Sequence, residues 1–138
     1  MSIEDILEEF DGLEDWDERC DYLIDLGFDL PEFPEDHKTE PNRVHGCQSN
    51  VWMVLAQRER DGREVVEIAA DSDAMIVRGL IAVLLALYSG KTAAEIVAVD
   101  ARKVFSRLGL DRHLSPARRN GLSGMVKRIR EFARSASA

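Results

Sequence analysis

The stretch that decides the fold is VWMVLAQRERDGREVVEIAADSDAMIVRGLIAVLLALYSG, from Val51 to Gly90. β-Branched and aromatic residues in its first half predict strands over 51–57 and 64–70. Asp61-Gly62 lies between them, and this dipeptide is a strong signal for a tight hairpin turn. The second half predicts a helix from Ala74 to Tyr88 that is apolar on almost every side, with Asp71-Ser72-Asp73 as candidate caps. A hairpin followed by a buried helix predicts a sheet that packs against helices.

Helical patterns flank this hairpin and helix on both sides. Upstream, apolar residues recur at helical spacing over 3–10, with Ser2 as a candidate cap, and again from about residue 14 to a predicted stop at Gly27. Downstream, three further helices have predicted starts. Thr92 and Glu95 form a capping box for the first, Asp100 can cap the second, which ends at Gly109, and Ser115-Pro116 opens the third. The pattern predicts one α+β domain over 1–138, in which a small antiparallel sheet of about three strands packs against several helices.

The net charge of −8 is unevenly distributed. Residues 1–42 hold sixteen acidic and two basic residues, whereas 43–138 hold ten acidic and sixteen basic ones. An acidic protein repels phosphate, so we expect no nucleic acid as a partner. Two interpretations of the asymmetry stay open. Oppositely charged helix faces could attract each other within the domain, or a polarised surface could steer a protein partner.

The composition indicates a reduced, soluble protein. The first ten residues are acidic, whereas secretory leaders are basic. Two cysteines cannot form a disulfide framework, and the longest apolar run, 74–88, is too short to span a bilayer. We therefore expect a cytoplasmic protein without a membrane partner.

The two cysteines lie in different contexts. Cys20 falls on the apolar stripe of the second predicted helix, so we expect a small buried hydrophobe without chemistry. Cys47 lies on a polar turn, after Gly46 and before Gln48, Ser49 and Asn50. Glycine permits backbone angles that other residues avoid, and the amides and hydroxyl could donate hydrogen bonds to a thiolate. Cys47 is the candidate nucleophile, although a loop thiol can also be incidental.

Other chemistries have weaker support. His37, His45 and His113 are scattered and no Cys-x-x-Cys pair exists, so we expect no metal site. His45 and Cys47 would share a face of an extended segment, which leaves a Cys–His nucleophile pair conceivable. No third orienting residue and no glycine-rich phosphate loop accompany them. We therefore expect no independent hydrolase activity.

Four segments of the chain, in order, resemble the SufE family of sulfur-acceptor proteins. HGCQSNVW, at 45–52, resembles the Gly-Cys-Gln-Ser-x-Val-Trp motif of that family. LIDLGFDLPEFPED, DSDAMIVRGLIAVLLALYSGKT and LGLDRHLSPARRNGLSGMVKRI resemble its early segment, its central helix and its C-terminal region. The resemblance extends over nearly the whole chain and implies a SufE/NifU-like fold.

The resemblance also implies a function and a set of site residues. In the family, the motif cysteine takes persulfide sulfur from a PLP-dependent cysteine desulfurase and passes it towards an iron–sulfur cluster assembly scaffold. Carried onto this chain, Cys47 is the acceptor. The residues that would support its loop or the partner surface are Gly46, Gln48, Ser49, Asp73, Arg78 and Arg118. His45 departs from the family pattern, and we assign it no essential role.

Such a protein would need no cofactor of its own and would turn over no small molecule independently. Two alternatives stay open, namely a non-catalytic adaptor that stimulates the desulfurase allosterically and a thiol redox sensor. A persulfide is labile, so we also expect the resting Cys47 sulfur to turn inward against apolar side chains, with Met75 and Ile76 nearby, and to be mostly buried. Burial of this kind disfavours the thiolate.

Overall fold

Two strands, β1 (Val51–Arg60) and β2 (Arg63–Ser72), form the sheet in the computed structural model, which describes residues 2–137. They pair antiparallel, and Arg60 faces Arg63 next to the turn. The turn residues Asp61 and Gly62 have φ angles of 53° and 78°, and a tight hairpin turn of type I′ needs such positive values. This turn lets the strands pair through exposed polar residues, so both are longer than predicted.

The α+β class and the small antiparallel sheet are confirmed, but the strand count is corrected from about three to two over residues 2–137. Each edge of the hairpin receives one isolated bridge, and these are Arg43 with Trp52 and Val66 with Lys91. Neither flank continues as a strand. Pro41 has no backbone N–H to donate on one side, and the chain turns at Gly90, with φ of 80°, on the other.

Helices precede and follow the sheet along the chain. They are α1 (Ile3–Asp11), α2 (Trp16–Phe28), α3 (Met75–Tyr88), α4 (Ala93–Ala98), α5 (Ala101–Arg107), α6 (Leu110–His113) and α7 (Pro116–Ser137). The side chains of Ser2, Thr92 and Asp100 cap α1, α4 and α5 as predicted. Between α2 and β1 the chain forms two short 3-10 turns, Glu35–His37 and Glu40–Asn42. No helix within residues 2–137 is long and apolar enough to cross a membrane.

Helix α3 is the centre of the core, and two glycines let α2 approach it closely. A Cβ at Gly79 would lie 2.2 Å from the carbonyl oxygen of Leu23, and one at Gly27 would lie 2.8 Å from the backbone nitrogen of Gly79. Helix α2 ends one residue after the predicted stop at Gly27, but this glycine is buried in the last turn and serves the helix crossing rather than a C-cap. The crossing fixes the position of α3, whose next turn faces the functional site.

The start of α3 is also different from the prediction. Its N-cap is Ala74, which offers no side-chain cap, while the Ser72 hydroxyl accepts a hydrogen bond from the Ala74 N–H at 3.2 Å. Asp73 does not cap the helix and instead contacts Asn50, directly before β1. The start of α3 and the start of the hairpin are thereby joined beside the Cys47 turn.

Candidate functional site

The residues around Cys47 form a loop whose two ends are held, and we call 45–49 the Cys47 loop. At its N-terminal end, the Val44 N–H donates to the Val51 carbonyl at 2.9 Å. Arg128 of α7 donates from its two terminal guanidinium nitrogens to the carbonyls of Arg43 and Pro41, at 2.8 and 2.9 Å. Because the guanidinium is planar and presents its donors as a fork, this contact fixes two backbone groups at once.

The C-terminal end of the Cys47 loop is held by Asp73. One carboxylate oxygen accepts the backbone N–H of Asn50 at 3.1 Å, and the other accepts the Asn50 side-chain amide at 2.9 Å. The Ser72 hydroxyl donates to the Asn50 carbonyl at 2.7 Å. The Asp73 N–H also donates to the Asn50 carbonyl at 3.3 Å, so four hydrogen bonds join this end of the loop to Ser72 and Asp73 at the end of β2.

Between these two ends the chain is weakly tethered. Within residues 2–137, no hydrogen bond of standard geometry involves 46–49. Gly46 has φ of 88°, a left-handed conformation that glycine adopts at little cost. The predicted hydrogen bonds from Gln48, Ser49 and Asn50 to the sulfur are absent from the described part of the chain. The position of the Cys47 loop therefore depends on the contacts at its two ends and on the packing of Cys47 against the core.

The sulfur of Cys47 turns inward, which confirms the predicted direction. It faces a cavity of about 10 Å³, roughly the volume of one water-sized sphere, between α3 and α7. The helix residues that line this cavity are Val77, Leu80, Ala117, Arg118, Gly121, Leu122 and Met125. Cys47 packs against the hydrophobic core while keeping intermediate exposure. Met75 does not cover it as expected, because its side chain is 54% exposed.

This environment disfavours the thiolate. Burial raises the pKa of Cys47 above the usual range for a cysteine, and the positive charge of Arg43 opposes the shift only in part. Because the thiolate is the nucleophile, the thiol reacts less readily in this position than a free cysteine would. Moving the sulfur out of the cavity, or a partner that changes its surroundings, would therefore raise the reactivity of the thiol at neutral pH.

The structure brings most of the predicted loop residues to Cys47. Gln48 and Ser49 line the cavity from the loop, and Arg118 lines it from the first turns of α7. Gly46 supplies the turn, and a Cβ there would meet nothing within 4 Å, so only its backbone angles call for glycine. Asp73 lies at the end of the loop and reaches Cys47 only through Asn50.

Arg78 and His45 have different surroundings. Arg78 pairs with Asp71 at 3.3 Å and is not among the residues that line the cavity. The His45 imidazole is 70% exposed and lies 3.1 Å from the Glu40 carboxylate, outside the cavity. The Cys–His pair considered from the sequence is therefore not formed, because the Gly46 turn aims the two side chains in different directions.

Cys20 is not the buried hydrophobe that its helical position predicts. Its exposure is intermediate, and it lies outside the apolar cluster that forms the core. Burial, followed by the carboxylates of Asp17 and Asp21, raises its pKa. It lies within a helix, so its backbone cannot carry the thiol to a partner as a loop can. This contrast favours Cys47 as the reactive cysteine.

Several residues of the site were missed in the sequence. They are Asn50, which pairs with Asp73, and Arg128, which holds the backbone before the Cys47 loop. The cavity residues Val77, Leu80, Ala117, Gly121, Leu122 and Met125 were also missed. The one usable signal was Gly121 inside a helical pattern, because an unexplained glycine there commonly has a packing role. Apart from Arg118, which the family resemblance assigned to the loop or the partner surface, nothing in the sequence related α7 to a loop more than sixty residues earlier.

The described residues contain no group of three or more metal-ligating side chains that could hold a metal ion. The chemistry available at the site is therefore that of the Cys47 thiol, on a loop fixed at both ends and against an apolar cavity.

Comparisons with known proteins agree with this geometry. The sequence profile of the SufE family, described as an Fe–S metabolism associated domain, matches residues 4–133. An uncharacterised SufE-like protein of Rhizobium etli is 48% identical over 133 residues, covering 96% of this chain and 90% of that protein. A second one, from Rhizobium meliloti, is 43% identical over 132 residues, covering 96% and 94%. These matches support a role in iron–sulfur metabolism.

A solved structure confirms the fold independently of close sequence similarity. The solution structure of a hypothetical protein from Thermus thermophilus superposes with a TM-score of 0.73 and covers 99% of this chain and 98% of that one. The two sequences are 22% identical, so this likeness concerns the fold alone.

Proposed function

Since this chain belongs to the SufE family, we propose that it accepts sulfur on Cys47 from the persulfide of a PLP-dependent cysteine desulfurase. It then passes the sulfur to an iron–sulfur cluster assembly scaffold. The observation that carries this proposal is the placement of Cys47 on a loop that is fixed at both ends and free between them. A carrier thiol must reach two partners in turn, and such a loop supplies the reach.

The transfer is a thiol–disulfide type of exchange. The Cys47 thiol gives up its proton, and its thiolate attacks the outer sulfur of the donor persulfide. A new S–S bond forms at Cys47 while the S–S bond of the donor breaks, and the electron pair of the broken bond leaves with the donor thiolate. No net oxidation occurs, so the transfer needs neither a redox partner nor a cofactor bound to this chain.

The resting site opposes this attack, and that is consistent with a gated carrier. The raised pKa keeps the thiol protonated, and the apolar cavity restricts access to the sulfur. We propose that docking to the desulfurase moves the Cys47 loop outward and exposes the thiol to the donor. A partner shifts such an equilibrium only through contacts that it makes better with the open loop. The exposed side chain of Gln48, at the tip of the loop, is available for such contacts.

We propose that the chain works as an accessory protein in the cytoplasm, where thiols stay reduced, rather than as an enzyme with its own small-molecule turnover. The transient persulfide is its one covalent state in this scheme. The proposed function involves no membrane partner and no nucleic-acid partner.

The test is mass spectrometry after incubation with a cysteine desulfurase, PLP and cysteine. We expect added sulfur on the Cys47 peptide, none in Cys47→Ser, and normal loading in Cys20→Ser. The Cys20 variant is the matched control, because it removes the other thiol of the chain. Loading on Cys20, or desulfurase activation that survives in Cys47→Ser, would overturn the proposal, and the second result would favour the allosteric adaptor.

A further inference from the structure

Gly121 of α7 is in direct contact with the sulfur of Cys47. A Cβ built at Gly121 would lie 3.1 Å from the Cys47 Sγ and 3.5 Å from both its Cα and its Cβ. Favourable contacts between carbon atoms begin at about 3.5 Å, and sulfur is larger than carbon. Any side chain at this position would therefore press on the thiol in its resting position.

The helix itself gives no reason for this glycine. Gly121 is buried in the interior of α7 and does not have a positive φ, so its backbone would suit alanine. A glycine inside a helix costs about 1 kcal/mol relative to alanine. The reason must then be the absence of a side chain, and the atoms that meet this space belong to Cys47.

Gly124, one turn further along α7, provides a comparison. A Cβ there would lie 3.4 Å from the His45 carbonyl oxygen and 3.8 Å from a Val44 methyl, which are ordinary contact distances. Both glycines face the same loop, but only the absence of a side chain at 121 makes room for the sulfur.

We propose that Gly121 is a positioning residue for sulfur transfer, because it makes the space that holds the Cys47 sulfur in its unreactive position. The cavity beside the sulfur has about 10 Å³, so one added carbon would occupy much of it. The outer sulfur of a persulfide lies about 2.05 Å from the inner one and needs the same space. This second part rests on the proposed function, whereas the first part concerns the thiol alone.

The experiment measures the alkylation rate of Cys47 by iodoacetamide between pH 6 and 10, in native buffer and in urea, with Cys20→Ser as the background. The variants are Gly121→Ala, Gly121→Val and the control Gly124→Ala. Displacing the thiol restores solvent and lowers its pKa towards that of a free cysteine. One pKa unit gives about tenfold more thiolate at neutral pH, reduced to about threefold in rate because a less basic thiolate is a weaker nucleophile.

We expect alkylation of Gly121→Ala to be faster than in the background protein, by about threefold for each pKa unit recovered, and a larger increase in Gly121→Val. The pH at which the alkylation rate inflects should also be lower in both Gly121 variants. Gly124→Ala should match the background, and all variants should react equally in urea. Native rates and inflections that equal the background in both Gly121 variants, with helix content unchanged by circular dichroism, would overturn the positioning role. An equal acceleration in Gly124→Ala would also overturn it, because it would mean general loosening of α7.

A second measurement separates this inference from the proposed function. Each protein is loaded by desulfurase and cysteine, and the lifetime of the persulfide is followed in dithiothreitol. We expect a shorter lifetime in Gly121→Ala than in Gly124→Ala. If the background protein takes up no sulfur, the proposed function fails, while the alkylation series still decides whether Gly121 positions the thiol. Equal lifetimes in the two variants would refute protection of the persulfide by the space at Gly121.

Discussion

Replacing Asp73 with alanine should release the C-terminal end of the Cys47 loop and raise the reactivity of a thiol that Asp73 never touches. The Asp73 carboxylate accepts two hydrogen bonds from Asn50, at 3.1 and 2.9 Å. Both are exposed, and each contributes about 1 kcal/mol net. If the loop opens by freeing this end, losing both bonds favours the open state by about 2 kcal/mol, or about 30-fold.

The structure also fixes the expected pattern among variants. Asn50→Ala removes only the side-chain bond, so it should raise the alkylation rate of Cys47 about fivefold. The double variant should match Asp73→Ala at about 30-fold rather than multiply the two effects, because both changes remove the same pair. Asp73→Asn keeps one oxygen acceptor and puts an amide donor in place of the other, so it retains only one of the two hydrogen bonds and should raise the rate about fivefold, as Asn50→Ala does.

The assay is iodoacetamide alkylation at pH 7 in the Cys20→Ser background, followed by peptide mass spectrometry. Urea unfolding of each variant shows whether the rates reflect the loop or the whole domain. A rate in Asp73→Ala equal to that of the unmodified protein would show that Cys47 reaches solvent with this end of the loop still closed. Fully multiplicative effects in the double variant would show that Asn50 and Asp73 act separately.

Three further predictions follow from distances already given. Gly79→Ala should lower the free energy of unfolding by about 2–4 kcal/mol in urea titration, because its Cβ would lie 2.2 Å from a backbone oxygen of α2, and an unchanged midpoint would contradict this packing. Arg128→Lys cannot reproduce the two-pronged contact with Pro41 and Arg43, so Cys47 alkylation should accelerate. An unchanged alkylation rate would show that Arg128 does not hold the Cys47 loop in place. The native Cys47 rate should inflect at a higher pH than in urea, because burial raises its pKa, and a lower native inflection would contradict that cause.

The raised pKa of Cys47 has a consequence for stability as well. The folded state favours the neutral thiol, so its contribution to stability is fully present below the unfolded pKa, which is about 8.5. That contribution is lost as the pH rises through the higher folded value. Cys47→Ala lacks this titration and should lose less stability above pH 8.5 than the unmodified protein does.

Local signals in the sequence predicted the elements well. Asp61-Gly62 specified the hairpin turn, and the capping boxes at Ser2 and Thr92 marked helix starts that the structure confirms. These signals are reliable because the interactions involve residues within four positions of each other. The prediction of a third strand was wrong because pairing along a sheet edge depends on where segments distant in sequence pass. The segments at Arg43 and Lys91 each turn away from the sheet after one bridge.

The candidate site was predictable only in its centre. The polar turn and the resemblance pointed to Cys47, and its inward direction followed from the lability of a persulfide. The helix face behind it was not predictable, because Gly121 and Arg128 belong to a helix whose basic residues read as a solvated surface. Arg128 is half-buried and bound to backbone carbonyls, although a basic residue in a helical pattern usually faces solvent. Gly27 was misread for the same reason, since its partner Gly79 lies about fifty residues later.

The arrangement around Cys47 would reconcile two opposing needs of the sulfur carrier proposed above. A persulfide that waits between partners should be hidden from reductants, whereas transfer needs an exposed thiolate in line with the donor. Holding the loop at Arg128 and Asp73 keeps the closed state favoured without fixing residues 46–49 themselves. A closed state populated 99 to 1 lies only about 2.7 kcal/mol below the open one, which a docking surface can supply. The pair of hydrogen bonds at Asp73 contributes about 2 kcal/mol, so a partner that disturbs both of them supplies most of this difference.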